Sequence, residues 1–153
     1  MLVQRSGART LTIAAISALL AGATTADDLT TDATALACAD KVYVQGQLAG
    51  LSNGEAGASV YRDASGRYHC HTITSSIAGG AVDIRLHPDA VAILHTHPLR
   101  TQPSPSSIDA ALAKRLGIPV YTLQPEGVFR VDRTGRVTRE AGREWRRRKF
   151  TAT

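Results

Sequence analysis

The sequence predicts an α/β fold of the α+β kind, a mixed β-sheet flanked by helices. Three observations carry this. Alternating β-branched and aromatic stretches are joined by short polar turns, and stretches with helical spacing and capping residues fall between them. The composition, 43% hydrophobic and 20% charged over 153 residues with 13 Gly and 6 Pro, is that of one ordinary globular domain and excludes fibrous or wholly unfolded classes.

The elements follow in order. Thr30, Thr31 and Asp32 offer N-caps for a helix over 32–48, with Leu36, Ala39, Val42 and Tyr43 near helical spacing and Gly46 or Gly50 to stop it. Strands over 56–61 and 68–74 flank Asp63-Ala64-Ser65-Gly66, a polar turn ending in glycine, and so form a hairpin. Gly79-Gly80 marks a turn, 82–86 a short strand, and 91–95 an apolar strand that ends abruptly in polar residues. A Pro- and Ser-rich loop over 97–105 leads to Ser106, which caps a helix to about Leu116 before Gly117-Ile118-Pro119 breaks it. A strand over 120–123 follows. A last hairpin pairs 128–131 with 136–138 across Asp132-Arg133-Thr134-Gly135.

The N-terminus predicts export. Leu11 to Ala23 is an apolar run of 13 residues, short of the roughly 20 that a spanning helix needs. Arg5 and Arg9 precede it, no acid occurs before Asp27, and the small residues Ala21-Gly22-Ala23 and Thr24-Thr25-Ala26 offer cleavage sites. The expected organisation is a signal peptide over 1–26, a folded domain over 27–132, and a basic C-terminal hairpin strand and tail over 133–153. An uncleaved single-helix anchor is the alternative. Export places the protein in the periplasm or outside the cell.

Removing the signal lowers the formal charge from +5 to +3, because it takes Arg5 and Arg9 and no acid. The remaining positive charge is concentrated in 130–149, where nine Arg or Lys face only Asp132, Glu140 and Glu144. Such a segment suits an acidic partner or a membrane surface. In an exported protein no nucleic acid is expected, and a solvated tail is the plainer reading, with Trp145 and Phe150 either in that tail or anchoring it to a partner or to headgroups. The two cysteines, Cys38 and Cys70, would meet oxidising conditions, and a disulfide between them closes a loop of 31 residues. Two separate buried thiols are the other possibility.

The residues with most chemistry are His95-Thr96-His97-Pro98 followed by Ser106-Ser107-Ile108-Asp109. His95 and His97 alternate at a strand end, so their rings share a face, and Asp109 in the first turn of the next helix can approach them. Two imidazoles and one carboxylate suit Zn²⁺ with a fourth position open, the arrangement of a catalytic rather than a structural site. Alone, an H-x-H is more often a pair of ordinary histidines; the proline, the loop and the S-x-x-D helix start add weight. Neither a P-loop nor G-x-G-x-x-G occurs.

This stretch resembles the motif of the JAMM (MPN, JAB-like) zinc metalloproteases, a Glu followed at a distance by H-[ST]-H-P, a loop and S-x-x-D. Glu55, in Asn53-Gly54-Glu55-Ala56-Gly57, is similar to the upstream Glu of small bacterial JAMM-like domains, including a secreted and toxin-associated branch of uncharacterised function. The likeness covers about 50–132. The loop between His97 and Ser106 holds eight residues, one more than is usual in the family.

The resemblance implies a JAMM/cytidine-deaminase-like architecture, with His95, His97 and Asp109 as Zn²⁺ ligands, Glu55 as general acid/base, and Ser106 as a hydroxyl that helps stabilise the oxyanion. It implies an exported peptidase or isopeptidase acting on a peptide or protein substrate. A catalytically inactive JAMM-like binding or adaptor module is the alternative. A zinc nucleobase deaminase would need H-x-E with P-C-x-x-C, and neither occurs. His69 and His71 flank Cys70 on one strand face and read as surface polar residues rather than as a second metal site; His87 has no evident partner in the sequence.

Overall fold

The computed structural model describes residues 29–49, 54–77, 82–98 and 104–150. The expected signal segment, its cleavage sites, the Gly79-Gly80 turn, Gly50 and part of the Pro/Ser loop lie outside the described residues, as do the side chains of 148–150. The fold is mixed α+β. Helix α1 (Ala33–Ala49) precedes the hairpin β1 (Glu55–Arg62) and β2 (Tyr68–Ser76), followed by β3 (Ala90–Thr96), α2 (Ser107–Leu116), β4 (Val120–Gln124), β5 (Gly127–Val131), β6 (Val137–Ala141) and a 3₁₀ helix (Arg143–Phe150). The six strands form one sheet in the order β2-β1-β3-β4-β5-β6. The β3–β4 pair is parallel, with α2 as its crossover; the other pairs are antiparallel.

Local chemistry explains the ends of these elements. Asp32 Oδ1 accepts from the amides of Thr34 (2.8 Å) and Ala35 (2.9 Å), capping α1. The two outer hairpins share one turn chemistry. Asp63 Oδ1 accepts from the Ser65 and Arg67 amides and the Ser65 hydroxyl, and Asp132 Oδ1 accepts from the Thr134 and Arg136 amides and the Thr134 hydroxyl at the same distances, 2.8, 3.0 and 2.6 Å.

Three expectations need correction. Gly46 does not stop α1 but lies buried within it, because the helix meets β3 there and a Cβ at Gly46 would come within 2.9 Å of Thr96 Cγ2. Residues 82–86 form no strand. Both neighbours of β1 are already taken by β2 and β3, so the segment crosses the sheet face and is held by side chains: Ser59 Oγ donates to the Arg85 carbonyl (2.9 Å) and accepts from the His87 amide (2.9 Å), and Thr74 Oγ1 donates to the Asp83 carbonyl (2.6 Å). Trp145 is neither in a solvated tail nor an anchor to headgroups. It is 1% exposed, lies edge-on to Tyr43 at 5.5 Å and donates from Nε1 to the Gln124 carbonyl (3.0 Å). Burying so large an indole outweighs the solvation gained by an extended basic chain.

The sheet separates two packed faces. Under α1 and the 3₁₀ helix lie Ala56, Ala58, Val60, Ala92, Leu94, Tyr121, Leu123 and Val128, against Leu36, Ala39, Val42 and Tyr43 of the helix. A disulfide joins Cys38 of α1 to Cys70 of β2, with Cα atoms 5.6 Å apart, and ties the helix to an edge strand. Under α2 a smaller apolar group joins Ile93, Val120 and Val131 of the sheet to Ala113 of the helix. His95 lies on this second face, two residues beyond Ile93.

Candidate metal centre

The site forms where β3 ends and α2 begins. The backbone of β3 carries His95 into the sheet, paired with Gly57 on one side and Thr122 on the other, and His97 follows just past the last strand residue. Gly57 is required by close approach: a Cβ there would lie 2.6 Å from Ile84 Cδ1 and 3.2 Å from His95 Cβ. Across the Pro/Ser loop, Ser106 is the N-cap of α2, and its side chain and that of Asp109 form a reciprocal capping box. Capping therefore fixes Asp109 in place.

Asp109 divides its two oxygens. Oδ2 accepts from the Ser106 amide (2.6 Å) and hydroxyl (2.8 Å) and lies 3.2 Å from His97 Nε2, while Oδ1 lies 3.0 Å from His95 Nε2. The imidazole rings stand 4.9 Å apart at 63°. One ligating atom from each of the three residues falls within 4.8 Å of the others, and all three side chains are largely withdrawn from solvent. Burial alone would raise the Asp109 pKa. The two imidazoles and the Ser106 amide outweigh it and hold the carboxyl well below the usual carboxylate range.

This group can hold a metal ion, and one detail of the geometry fits that use. His95 Nε2 is buried and close to Oδ1, yet it is not aligned for a hydrogen bond and has no other partner among the described residues. A nitrogen placed beside an oxygen rather than aimed at it shares with it a point between them, as ligands of one ion do. Each imidazole lies against its own carboxylate oxygen, His95 Nε2 3.0 Å from Oδ1 and His97 Nε2 3.2 Å from Oδ2. One ligating atom from each residue lies within 4.8 Å of the others, a spacing an ion can draw together. The donor set, two nitrogens and one carboxylate, is borderline in softness and fits zinc.

The other residues singled out in the sequence are placed as follows. Glu55 opens β1, half-buried, two residues before the partner of His95 and on the same strand face, and it is not one of the convergent three. Ser106 donates its single hydroxyl proton to Asp109 and accepts from the Asp109 amide (3.2 Å). His69, His71 and His87 gather around Tyr61 far along β1 and β2: His87 stacks on Tyr61 at 3.9 Å, His69 stacks on it at 5.4 Å and pairs with Asp63 at 2.8 Å, and His71 meets His87 edge-on at 5.1 Å. His87 therefore has partners that the sequence did not indicate.

Sequence reasoning missed Thr122 and Gln124. Both are buried on β4, and the polar residue at every second place after Val120 was the available sign. No protein-family model, curated protein or solved structure matches this chain.

Proposed function

We propose that the protein is an exported, zinc-dependent peptidase or isopeptidase of JAMM type that hydrolyses an amide bond. The observation that carries this reading is the convergence of His95, His97 and Asp109 at the end of β3, with a half-buried Glu55 entering the same face from the neighbouring strand. A zinc ion held there would polarise the scissile carbonyl as a Lewis acid and lower the pKa of a water to about 7. Glu55, free of the ligand group, takes the proton from the attacking water and delivers it to the departing nitrogen. The Ser106 hydroxyl turns from Asp109 towards the developing oxyanion.

The disulfide supports an oxidising compartment, and no helix among the described residues is long and apolar enough to cross a membrane. Export turns the substrate away from cytoplasmic isopeptides towards cell-wall peptides, a secreted precursor or a toxin polypeptide. The basic C-terminal segment, in which Arg143 and Arg147 are exposed and Arg147 is paired with Glu144 at 2.9 Å, would meet an acidic partner or membrane headgroups. A binding module without turnover is the second reading, supported by the capping box, which gives Ser106 and Asp109 a purely structural use.

Glu55→Gln separates the two readings. On a substrate found by mapping cleavage products in periplasmic extract, kcat should fall about 10²- to 10⁴-fold with zinc content unchanged. Unaltered turnover, or a zinc-loaded wild type that cleaves nothing, would favour the binding module.

A further inference from the structure

The segment 82–87 crosses the sheet face without joining the sheet, and it passes beside the metal-binding group. It is held at three places. Thr74 Oγ1 donates to the Asp83 carbonyl (2.6 Å), Ser59 Oγ donates to the Arg85 carbonyl and accepts from the His87 amide (2.9 Å each), and the His87 ring stacks on Tyr61 at 3.9 Å. Ser59 is wholly buried, and its hydroxyl both gives and takes a hydrogen bond, so it stands in for the strand partner that the segment lacks.

What the segment brings to the site is Ile84. Gly57 is the direct cross-strand partner of His95. Directly opposed residues project to the same face, so a side chain at 57 would stand beside that of His95. Glycine leaves the place open and Ile84 fills it: Cδ1 and Cγ1 lie 2.6 and 2.8 Å from where a Cβ at 57 would be, and His95 Cβ lies 3.2 Å from the same point. Ile84 also packs against the apolar group of Ile93, Ala113, Val120 and Val131. It thus joins that group to the flank of His95.

A larger residue at 57 would fill this place from within the sheet. Here the neighbour of His95 is brought instead by a segment that side chains alone fasten to β1 and β2. We propose that Ile84 is a positioning residue of the metal centre, and that Ser59, which fastens its segment, acts through it. With Ile84 seated, the His95 side chain has less room to turn away from Asp109; with the segment loosened, that constraint is lost. Ligands whose rotamers are locked by packing are preorganised for their ion. The coupling is reciprocal: what the fastened segment adds to metal affinity, bound metal returns as a firmer segment. This proposal rests on the metal reading of the His95–His97–Asp109 group.

The test measures zinc affinity of the oxidised protein by competition with a chelating dye, the visible absorption bands of the Co²⁺-loaded form, and hydrogen exchange of the His87 amide. Ile84→Ala should keep the wild-type circular dichroism, bind zinc about 10-fold more weakly and shift the cobalt bands, and Ile84→Val should recover most of both. Ser59 is paired with Ile93 rather than with a ligand, yet Ser59→Ala should weaken zinc about 5-fold or more and move the bands the same way. Thr74→Val loosens the segment at its other end and decides the matter if Ser59→Ala fails to fold. Zinc loading of the wild type should slow exchange of the His87 amide by at least the factor by which Ser59→Ala weakens zinc. Val42→Ala, on the opposite face, should lower stability and leave zinc affinity and the cobalt bands alone. Wild-type affinity and bands in the folded variants of Ile84 and Ser59, His87 exchange indifferent to zinc, or an equal loss of affinity in Val42→Ala would overturn the proposal while leaving the metal centre intact. A wild-type protein that takes up neither zinc nor cobalt would overturn the metal reading and this proposal with it.

Discussion

Two faces of one sheet are built to different ends. Beneath α1 the sheet buries Ala56, Ala58, Val60, Leu94, Tyr121 and Leu123 against Val42, Tyr43 and Trp145, and a disulfide ties the covering helix to β2. Between the sheet and α2 the buried apolar side chains Ile93, Val120 and Val131 of the sheet and Ala113 of the helix share the space with the buried polar residues His95, Thr122 and Gln124 of the sheet and Asp109 of the helix. Burying polar groups costs stability, and apolar residues of similar volume are often the more stable choice. The first face holds the fold together. The second buries polar groups at a cost in stability, and two of them, His95 and Asp109, could with His97 hold a metal ion.

Substitutions on the first face should therefore cost stability without touching metal binding. The largest effect is expected from Trp145→Ala, about 3–5 kcal/mol by chemical denaturation, with zinc stoichiometry unchanged wherever the variant is folded. Loss of zinc in a folded Trp145→Ala would mean that the two faces are coupled. Replacing Cys38 and Cys70 together by alanine should cost somewhat less, about 3–4 kcal/mol by loop entropy, again with wild-type zinc content.

On the second face the order of effects reverses. Gly57→Ala would press on Ile84 and His95 and should cost only about 1–3 kcal/mol, yet displacing His95 should lower zinc affinity measurably by chelator competition.

These faces were not equally legible in the sequence. The capped helices, the two Asp-led hairpin turns and the H-T-H-P and S-x-x-D stretches announce themselves because their chemistry is local: a cap or a turn is decided within four or five residues. What the sequence hid is decided across the sheet. Residues 82–86 have strand composition, but both sides of β1 were occupied, and Trp145 lies among arginines in sequence while its indole reaches a carbonyl on β4. Thr122 and Gln124 were invisible for the same reason, since only the parallel register sets Thr122 beside His95.

The smallest effect belongs to neither face. In the β5–β6 turn the Thr134 hydroxyl, followed by the Arg136 and Thr134 amides, lowers the Asp132 pKa to about 2 against slight burial. A carboxyl whose folded value is depressed stabilises above its unfolded value of about 3.9 and loses that contribution as pH falls towards 2. Because Asp132 sits at the half-exposed surface of a turn, where solvent screens its charge, the loss should be small. Asp132→Asn should flatten the thermal stability between pH 4 and 2 only slightly and leave zinc binding alone.

If the second face holds a metal ion, the purified oxidised protein should carry it, as elemental analysis beside His97→Ala and Asp109→Asn would read. One zinc per chain is expected in the wild type and little or none in either variant, with all three folded. A wild-type protein without stoichiometric metal after zinc loading, or a folded His97→Ala with full occupancy, would contradict it.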